Sequence, residues 1–287
     1  MTIVITGATG QLGRLVIESL LERGIPASDL RALGRNADRL ASFAAQGIDT
    51  RVIDFAQPET LDAAFSGADA LLLVSGSEVG QRLQQHRNAI DAAVRAGVGR
   101  VVYTSASKAT DTDLVVAPEH AETERLLAAS GLPVTVLRNN WYTENYLGTL
   151  DTAAATGEIV ASAGEGRVAS ATRADYAEAA AVVLTTPGHE GAVYELSGDT
   201  AWTFADLAEV ASELLGREVV YRSVTPEEHG SILTGVGLDA GTAGFVVALD
   251  GNIRDGALAE ATPTLRELIG RPTTPLADGL AQARAAA

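Results

Sequence analysis

Cysteine is absent from this chain of 287 residues, which excludes disulfides, thiolate nucleophiles and cysteine-based metal centres. Histidine is scarce. His86, His120, His189 and His229 are scattered, with no pair at the spacing that aligns two rings on one helix face, so no metal site is expected. Positive charge is also in deficit. Lys and Arg number 21 against 37 Asp and Glu, a formal net charge of -16, and no basic run interrupts it. Such a chain repels phosphate backbones and anionic lipid, which argues against nucleic acid and membranes as partners. No apolar run is long enough to span a bilayer, and no basic segment followed by an apolar stretch marks a signal peptide. A cytoplasmic location is the default expectation, and nothing excludes a homo-oligomer.

What is present is a chain of ordinary globular composition, 46 % hydrophobic and 20 % charged, with a regular alternation of patterns. Strand-like runs at residues 2–5, 30–33, 50–53, 70–74, 100–104 and 134–137 alternate with helix-like segments at 12–21, 37–45, 60–65, 81–96 and 119–129. Alternation of this kind builds βαβ units and a parallel sheet. The run Ala70-Leu71-Leu72-Leu73-Val74 is continuously apolar, as a strand covered on both faces must be. The fold class is α/β, a Rossmann-type doubly wound parallel sheet. Past residue 140 the alternation weakens. Residues 174–185 read as a helix and 193–196 as a strand, so 167–198 is expected to rejoin the first domain, which otherwise spans 1–140. Residues 141–166 and 199–287 are expected to form a smaller, mostly helical substrate lobe. Its elements are helices at 203–215, 226–233, 263–270 and 275–284 and a strand at 218–222. Residues 235–256 resist assignment, and the alanine-rich end at 285–287 is expected to fray.

The sharpest motif is Thr6-Gly7-Ala8-Thr9-Gly10-Gln11-Leu12-Gly13, which follows the first strand and opens the first helix. Glycines at 7, 10 and 13 allow a tight turn, close approach of backbone to a pyrophosphate, and close helix–strand packing. The helix N-terminus then offers unpaired N–H donors to the phosphates. A side chain at Gly10 would occupy the space that a pyrophosphate needs. The bland alternative is a ligand-free glycine turn, but the strand–turn–helix context at the head of a βαβ series favours a dinucleotide. An NAD site usually carries a carboxylate at the end of the second strand. Here that strand runs into Gly34-Arg35-Asn36. Arg35 offers a planar fork of donors to a 2′-phosphate, and Gly34 leaves room for its bulk, so the cofactor is expected to be NADP(H). The alternative for Arg35 is an ordinary surface residue. Asp54 and Phe55 follow the third strand, where Asp54 can accept from an adenine amino group and Phe55 can pack beside the ring. Asp54 can equally cap the next helix.

Taken together with Ser77-Glu78-Val79-Gly80-Gln81-Arg82, Leu137-Arg138-Asn139-Asn140-Trp141-Tyr142-Thr143-Glu144-Asn145-Tyr146, Ala169-Ser170-Ala171-Thr172-Arg173-Ala174-Asp175-Tyr176 and Ile269-Gly270-Arg271-Pro272-Thr273-Thr274, the chain resembles the NmrA-like branch of the atypical short-chain dehydrogenase/reductase superfamily. Within that branch it resembles the bacterial type 2 NAD(P)H:quinone oxidoreductases, and more distantly the triphenylmethane reductases. The resemblance implies NADPH lying along the carboxyl ends of the strands, and two-electron reduction of a quinone in a cleft between the large domain and the C-terminal lobe. Carried over by position, Gly7, Thr9, Gly10, Gln11, Leu12, Gly13 and Arg35 surround the phosphates. Ser75, Gly76, Ser77, Thr104 and Arg173 line the cofactor, and Asn139, Asn140, Trp141 and Tyr142 approach the nicotinamide and the substrate.

One departure from the wider superfamily matters. Its usual Tyr-x-x-x-Lys supplies a phenol acid with a lowered pKa. Here Val116 falls near the place of the Tyr and His120 near that of the Lys, and no such motif starts at Tyr103. A quinone fits the absence, because its reduced anion is delocalised and needs no strong acid. Catalysis then rests on holding ring and nicotinamide in position. His120 either donates to a quinone oxygen or is a helix-start histidine without a catalytic part. Trp141 and Tyr142 either stack on a flat substrate or pack the lobe junction. Two other functions compete: reduction of another electron-poor acceptor, such as a triarylmethane dye, an imine or an activated alkene, and a non-enzymatic NADP-binding redox sensor.

Overall fold

The computed structural model describes residues 1–78 and 80–286; Val79 of the 77–82 motif and Ala287 of the terminal alanine run lie outside the described residues. In chain order the first elements are β1 (Ile3–Ile5), α1 (Gln11–Glu22), β2 (Leu30–Gly34), α2 (Ala37–Ala44), β3 (Asp49–Val52), α3 (Leu61–Phe65), β4 (Ala70–Leu73), α4 (Arg82–Arg95), β5 (Val101–Ala106), α5 (Ala117–Ala129) and β6 (Val134–Asn139). Then follow α6 (Leu147–Thr156), β7 (Glu158–Ala161), β8 (Arg167–Val168), α7 (Arg173–Thr185), β9 (Val193–Leu196), β10 (Trp202–Thr203), α8 (Phe204–Leu215), β11 (Val220–Ser223), α9 (Pro226–Gly235), α10 (Ala240–Arg254), α11 (Thr264–Ile269) and α12 (Leu276–Ala285).

The chain divides into two compact units. The first comprises Met1–Thr110, Pro118–Asn139 and Arg173–Glu195, and the second Asp111–Ala117, Asn140–Thr172 and Leu196–Ala287. The first unit therefore takes back less chain than the 167–198 expected from sequence, and it gives up residues 111–117. Hydrogen bonding explains both shifts. Val115 N–H donates to Asn252 Oδ1 at 2.8 Å and Asn252 Nδ2 to the Asp113 carbonyl at 3.1 Å, while Ala169 N–H donates to the Leu258 carbonyl at 2.8 Å.

In the first unit the sheet order is β3-β2-β1-β4-β5-β6-β9, and β1 through β6 pair in parallel. The order reverses between β1 and β4. In an open α/β sheet that switch point leaves a crevice beyond the strand carboxyl ends. The central strands are sealed on both faces: Ile3, Val4, Ile5, Ala70 and Leu72 have 0 % exposure. α1 buries Leu12, Val16, Ile17 and Leu20 on one stripe, at helical spacing. Gly13 lies on that helix against the turn. A Cβ built there would stand 2.4 Å from the Gly7 carbonyl oxygen and 2.8 Å from its carbon, so only glycine lets α1 sit this close to β1.

The second unit has its own core, built on Tyr146, Ile159, Val168, Trp202, Phe204, Leu207 and Leu258. It is less purely helical than its sequence suggests. β7 pairs in parallel with β11, and β8 pairs antiparallel with β10. These strands are two to four residues long, too short to carry a legible period. Much of the stretch that resisted assignment, 235–256, is α10. Small residues blur its periodicity, but Asp239 caps it, Oδ1 accepting from the N–H groups of Gly241 and Thr242. Of the terminal alanines expected to fray, Ala285 is still within α12. Among the described residues no helix is long and apolar enough to cross a membrane.

The two turn glycines predict different costs. Gly13→Ala drives a methyl into rigid backbone and should destabilise the first unit by about 1–3 kcal/mol. At Gly10 the added Cβ meets only the Gly7 carbonyl, at 3.1 Å, so Gly10→Ala should cost clearly less. Urea denaturation of both variants checks this; equal midpoints would show that Gly13 does not set the packing of α1.

Candidate functional site

The phosphate turn fits an anion by what it leaves open. Gly7 adopts φ +60°, a left-handed conformation that lets the chain turn sharply out of β1. Gly10 is the N-cap of α1 and has no side chain to cap it. Gly10 N–H is bound to the Gly7 carbonyl and Arg14 N–H to the Gly10 carbonyl. Gln11, Leu12 and Gly13 lie in the first turn, where a helix provides no acceptor for its N–H groups. These donors and the helix dipole face the end of β1. Thr9 packs within the turn. Its side chain lies beside Gly34, where an added Cβ would fall 2.9 Å from Thr9 Oγ1. The small residue at 34 therefore makes room for Thr9.

At the end of β2, Arg35 is largely exposed and forms a close ion pair with Glu78. Gln85 Nε2 also donates to Glu78, at 2.8 Å. These two partners hold the Glu78 carboxyl below its usual pKa, Gln85 first and then Arg35. Asn36 caps α2, and from that helix Arg39 extends to the Thr9 carbonyl at 3.5 Å. Arg39 thus brings a second guanidinium to the turn. Sequence reading passed over it, although its spacing of four from Arg35 on a capped helix was the available signal. Asp54 closes a turn, with Oδ1 accepting from Ala56 N–H at 2.9 Å, and it is not the N-cap of the helix that follows. Phe55 is half-buried against the core and meets the His86 ring edge-on at 6.4 Å.

Beyond β4, Gly76 and Gly80 are held by side chains from two helices. Ser75 N–H donates to Thr104 Oγ1 at 2.9 Å, and Gly76 N–H to His86 Nε2 at 3.0 Å. Arg82 Nε donates to the Gly76 carbonyl at 2.6 Å, and Glu119 accepts from Gly80 N–H at 3.0 Å and from Arg82 at 3.3 Å. Ser77 is exposed. Deeper in, His86 Nδ1 pairs with Thr123 Oγ1 at 3.0 Å, and the Tyr103 hydroxyl with His120 Nδ1 at 2.8 Å. His120 is buried at 6 % exposure, well away from the surface position that a helix-start residue usually takes. Burial and then the Arg82 charge lower both imidazoles to about 3. Burial pushes the Tyr103 phenol up. Apart from His120, nothing in the sequence pattern marked this network.

At the ends of β5 and β6, Arg138 bridges Glu124 at 2.6 Å and Glu195 at 2.9 Å, and Ser105 donates to Glu124 at 2.6 Å. Glu195 also accepts from the N–H of Lys108, which stands at φ +47°. Asn139 is buried, and its carbonyl accepts from Ser107 N–H at 3.1 Å. Arg173 opens α7, half-buried. In the second unit, Asn140 Oδ1 accepts from Trp141 N–H at 2.6 Å, and Nδ2 donates to the Leu258 carbonyl at 3.3 Å. Trp141 packs against that unit's core. Tyr142 is half-buried and bridges to Ala171. His189 bonds Thr186 and Tyr194. His229, Asp250 and Ser162 form a buried trio without triad geometry. Both the carboxylate, at 2.9 Å, and the serine, at 3.4 Å, approach the same ring nitrogen, Nδ1.

The two buried imidazoles of the first unit make stability pH-dependent. Between the ordinary histidine pKa of 6.5 and about 3, the unfolded chain binds protons that the native rings refuse. Their contribution is complete above the upper limit and is lost as pH falls through the window, at up to about 1.4 kcal/mol per pH unit for each ring. Denaturation midpoints followed from pH 7 downward should show this slope, and His86→Gln should remove one ring's share of it. An unchanged slope in the variant would contradict the buried neutral ring.

These features have counterparts in known proteins. A family of NAD(P)H-binding domains matches residues 7–187. Quinone oxidoreductase 2 of Escherichia coli (strain K12) is 47 % identical over 278 residues, 97 % of each chain. The NAD(P)H azoreductase of Xenophilus azovorans is 30 % identical over 286 residues, 99 % of this chain and 98 % of that one. The crystal structure of the Escherichia coli NADPH-dependent quinone oxidoreductase complexed with NADPH superimposes with a TM-score of 0.94 at 47 % identity, covering 98 % of this chain and 99 % of that one. That of the Citrobacter sp. triphenylmethane reductase complexed with NADP(H) gives 0.93 at 38 % identity, covering 98 % and 100 %. With its glycine turn, its strand order and this kinship along its length, the chain belongs to the NAD(P)H-binding family, in the NmrA-like branch of the short-chain dehydrogenases/reductases.

Proposed function

We propose that this chain is a cytoplasmic NADPH-dependent reductase that delivers a hydride to a quinone, with no nucleic acid or membrane as partner. The observation that carries the acceptor class is His120, a buried neutral ring near the place where the superfamily keeps an ammonium. Kinship to proteins named for quinone, azo and triphenylmethane reduction supports a flat, electron-poor acceptor. NADPH supplies the hydride when bound. Gly7, Gly10, Gln11, Leu12 and Gly13 receive its pyrophosphate, with Thr9 shaping the turn. Arg35, assisted by Arg39, receives the 2′-phosphate. Asp54 and Phe55 flank the adenine end, while Ser75, Gly76, Ser77, Thr104, Asn139 and Arg173 line the remainder. Tyr142 meets the acceptor ring, and Asn140 and Trp141 hold Tyr142 in place from within their own unit. His120 contributes a hydrogen bond and no charge.

Cofactor choice follows from Arg35. NADPH should bind more tightly than NADH, and Arg35→Ala should remove about 1.5–3 kcal/mol of NADPH binding, the size of one charge-assisted hydrogen bond. Glu78→Gln frees the guanidinium and should tighten NADPH while leaving NADH unchanged. Fluorescence titration of both cofactors decides it, and equal wild-type affinities would reject the assignment.

Turnover tests the acceptor. Steady-state NADPH oxidation with a panel of quinones and dyes should show activity, with no turnover on any of them favouring a sensor. A ring with a pKa of about 3 stays neutral across the neutral range, so kcat should show no histidine limb between roughly pH 5.5 and 8.5. His120→Ala should lower kcat by about tenfold, whereas a general acid would contribute about a hundredfold or more. A limb near the ordinary histidine pKa that vanishes in His120→Ala would make His120 the acid.

A further inference from the structure

The buried polar chain beneath the nucleotide loop can be followed proton by proton. An amide only donates, so His86 Nε2, which receives Gly76 N–H at 3.0 Å, is a bare acceptor, and that ring keeps its proton on Nδ1. The Nδ1–H donates to Thr123 Oγ1 at 3.0 Å, and the Thr123 hydroxyl proton goes to the Glu119 carbonyl at 2.7 Å. There remain the Tyr103 hydroxyl and His120 Nδ1, 2.8 Å apart. A phenol donates well and accepts poorly, whereas a neutral imidazole nitrogen accepts well. Tyr103 has 0 % exposure, and burial keeps its phenol protonated. Thr123 Oγ1 also lies near the phenol, but it already accepts from His86, so the shared proton sits on the phenol oxygen and is accepted by His120 Nδ1. A neutral ring that accepts at Nδ1 carries its own proton on Nε2. Tyr103 engages the ring at Nδ1, and His120 keeps 6 % of its surface exposed.

We propose that Tyr103 is a positioning residue that locks His120 in its Nε2–H tautomer, so that a buried, uncharged ring presents one donor to a carbonyl oxygen of the acceptor. The proposal rests on the reductase reading above and adds to it the state of the ring that meets the substrate. Hydride brings two electrons and one proton to the quinone, and NADPH leaves as NADP+. The Nε2–H holds the charge that develops on oxygen and keeps its own proton, while water supplies the second proton of the hydroquinone. The guanidinium of Arg82, buried beside both rings, disfavours the alternative in which His120 gains a proton and gives it up. Tyr103 cannot be the acid in its place, because it lies sealed behind the ring.

The test is the long-range proton–nitrogen spectrum of the protein labelled with nitrogen-15 histidine, assigned with His86→Gln and His120→Gln. The expected result is opposite tautomers in one domain, Nδ1–H at His86 and Nε2–H at His120, with no charged form at neutral pH. Tyr103→Phe should move the His120 Nδ1 resonance toward that of an acceptor without a bond. It should also lower kcat with a quinone by about tenfold, the loss of one neutral hydrogen bond, and leave KM for NADPH unchanged. An Nδ1–H or charged His120 in the wild type overturns the proposal, as does a Tyr103→Phe protein with unchanged spectrum and kcat. If Tyr103→Phe does not fold, the wild-type spectrum still decides. Because the tautomer is read without turnover, a protein that shows Nε2–H and reduces no quinone overturns the reductase reading and with it the donor role, and leaves the lock itself intact.

Discussion

The hydrogen bond from the Gly76 amide to the ring of His86 fixes Gly76 beyond the end of β4, and the buried polar groups of that end of the sheet are arranged around it. Loops that line ligands are usually the softest part of an α/β domain. Here Gly76 is held at its N–H and at its carbonyl by side chains from α4, and the Gly80 N–H by Glu119 of α5. A buried polar group left unpaired costs about 1–3 kcal/mol, so part-buried Gly76 has little freedom to rearrange. The arrangement demands a neutral His86. A proton on Nε2 would set two donors face to face and break the clasp. Burial and the Arg82 guanidinium prevent this at neutral pH, and through the same network they keep His120 uncharged.

The charge balance of the nucleotide end follows a similar logic. A chain with net charge -16 repels a phosphorylated dinucleotide at long range, so attraction has to be local. The α1 N-terminus supplies it through dipoles, and Arg35 and Arg39 supply it through charge. The pairing of Arg35 with Glu78 holds the guanidinium near the end of β2 before any ligand arrives. On the proposed reading a 2′-phosphate exchanges one anionic partner for another. Selectivity for NADPH is then the difference between two ion pairs, which is smaller than the full strength of either. An exposed pair such as this one is screened and worth little by itself, so the exchange is easily made.

The outline of the fold was legible because its signals are periodic and local. Six strands and the helices between them could be placed from alternation alone, and the glycine turn from its context. The second unit was harder to read for a physical reason. Its strands have two to four residues, and α10 carries Ala240, Gly241, Ala243 and Gly244 where a helix usually shows its apolar stripe. At the site, Arg35 and the turn glycines announce themselves by residue type and position. His86, Tyr103 and Thr123 do not, because a buried polar side chain looks in sequence like any helix or strand residue. Only the pairing of β4 with β5 and the approach of α4 and α5 bring the three together. Gly34 is visible by residue type, but the Thr9 side chain packed beside it comes from a distant part of the sequence that no local pattern joins to it.

The missing Tyr-x-x-x-Lys is informative beyond its absence. Reduction of an ordinary ketone leaves an alkoxide, a base strong enough that the enzyme must place an acid beside it. This chain has a phenol and an imidazole in the region, but both are in the wrong state for that task. Burial raises the phenol of Tyr103, making it a poorer acid, and lowers His120 until it holds no spare proton at neutral pH. Each shift opposes the direction in which catalysis of alcohol–ketone exchange would tune the group. A core that makes its titratable groups hydrogen-bond partners and withholds them as acids suits an acceptor whose reduced form spreads its charge over a ring. For such an acceptor the demand falls on geometry, which the clasped loop and the fixed ring of His120 provide.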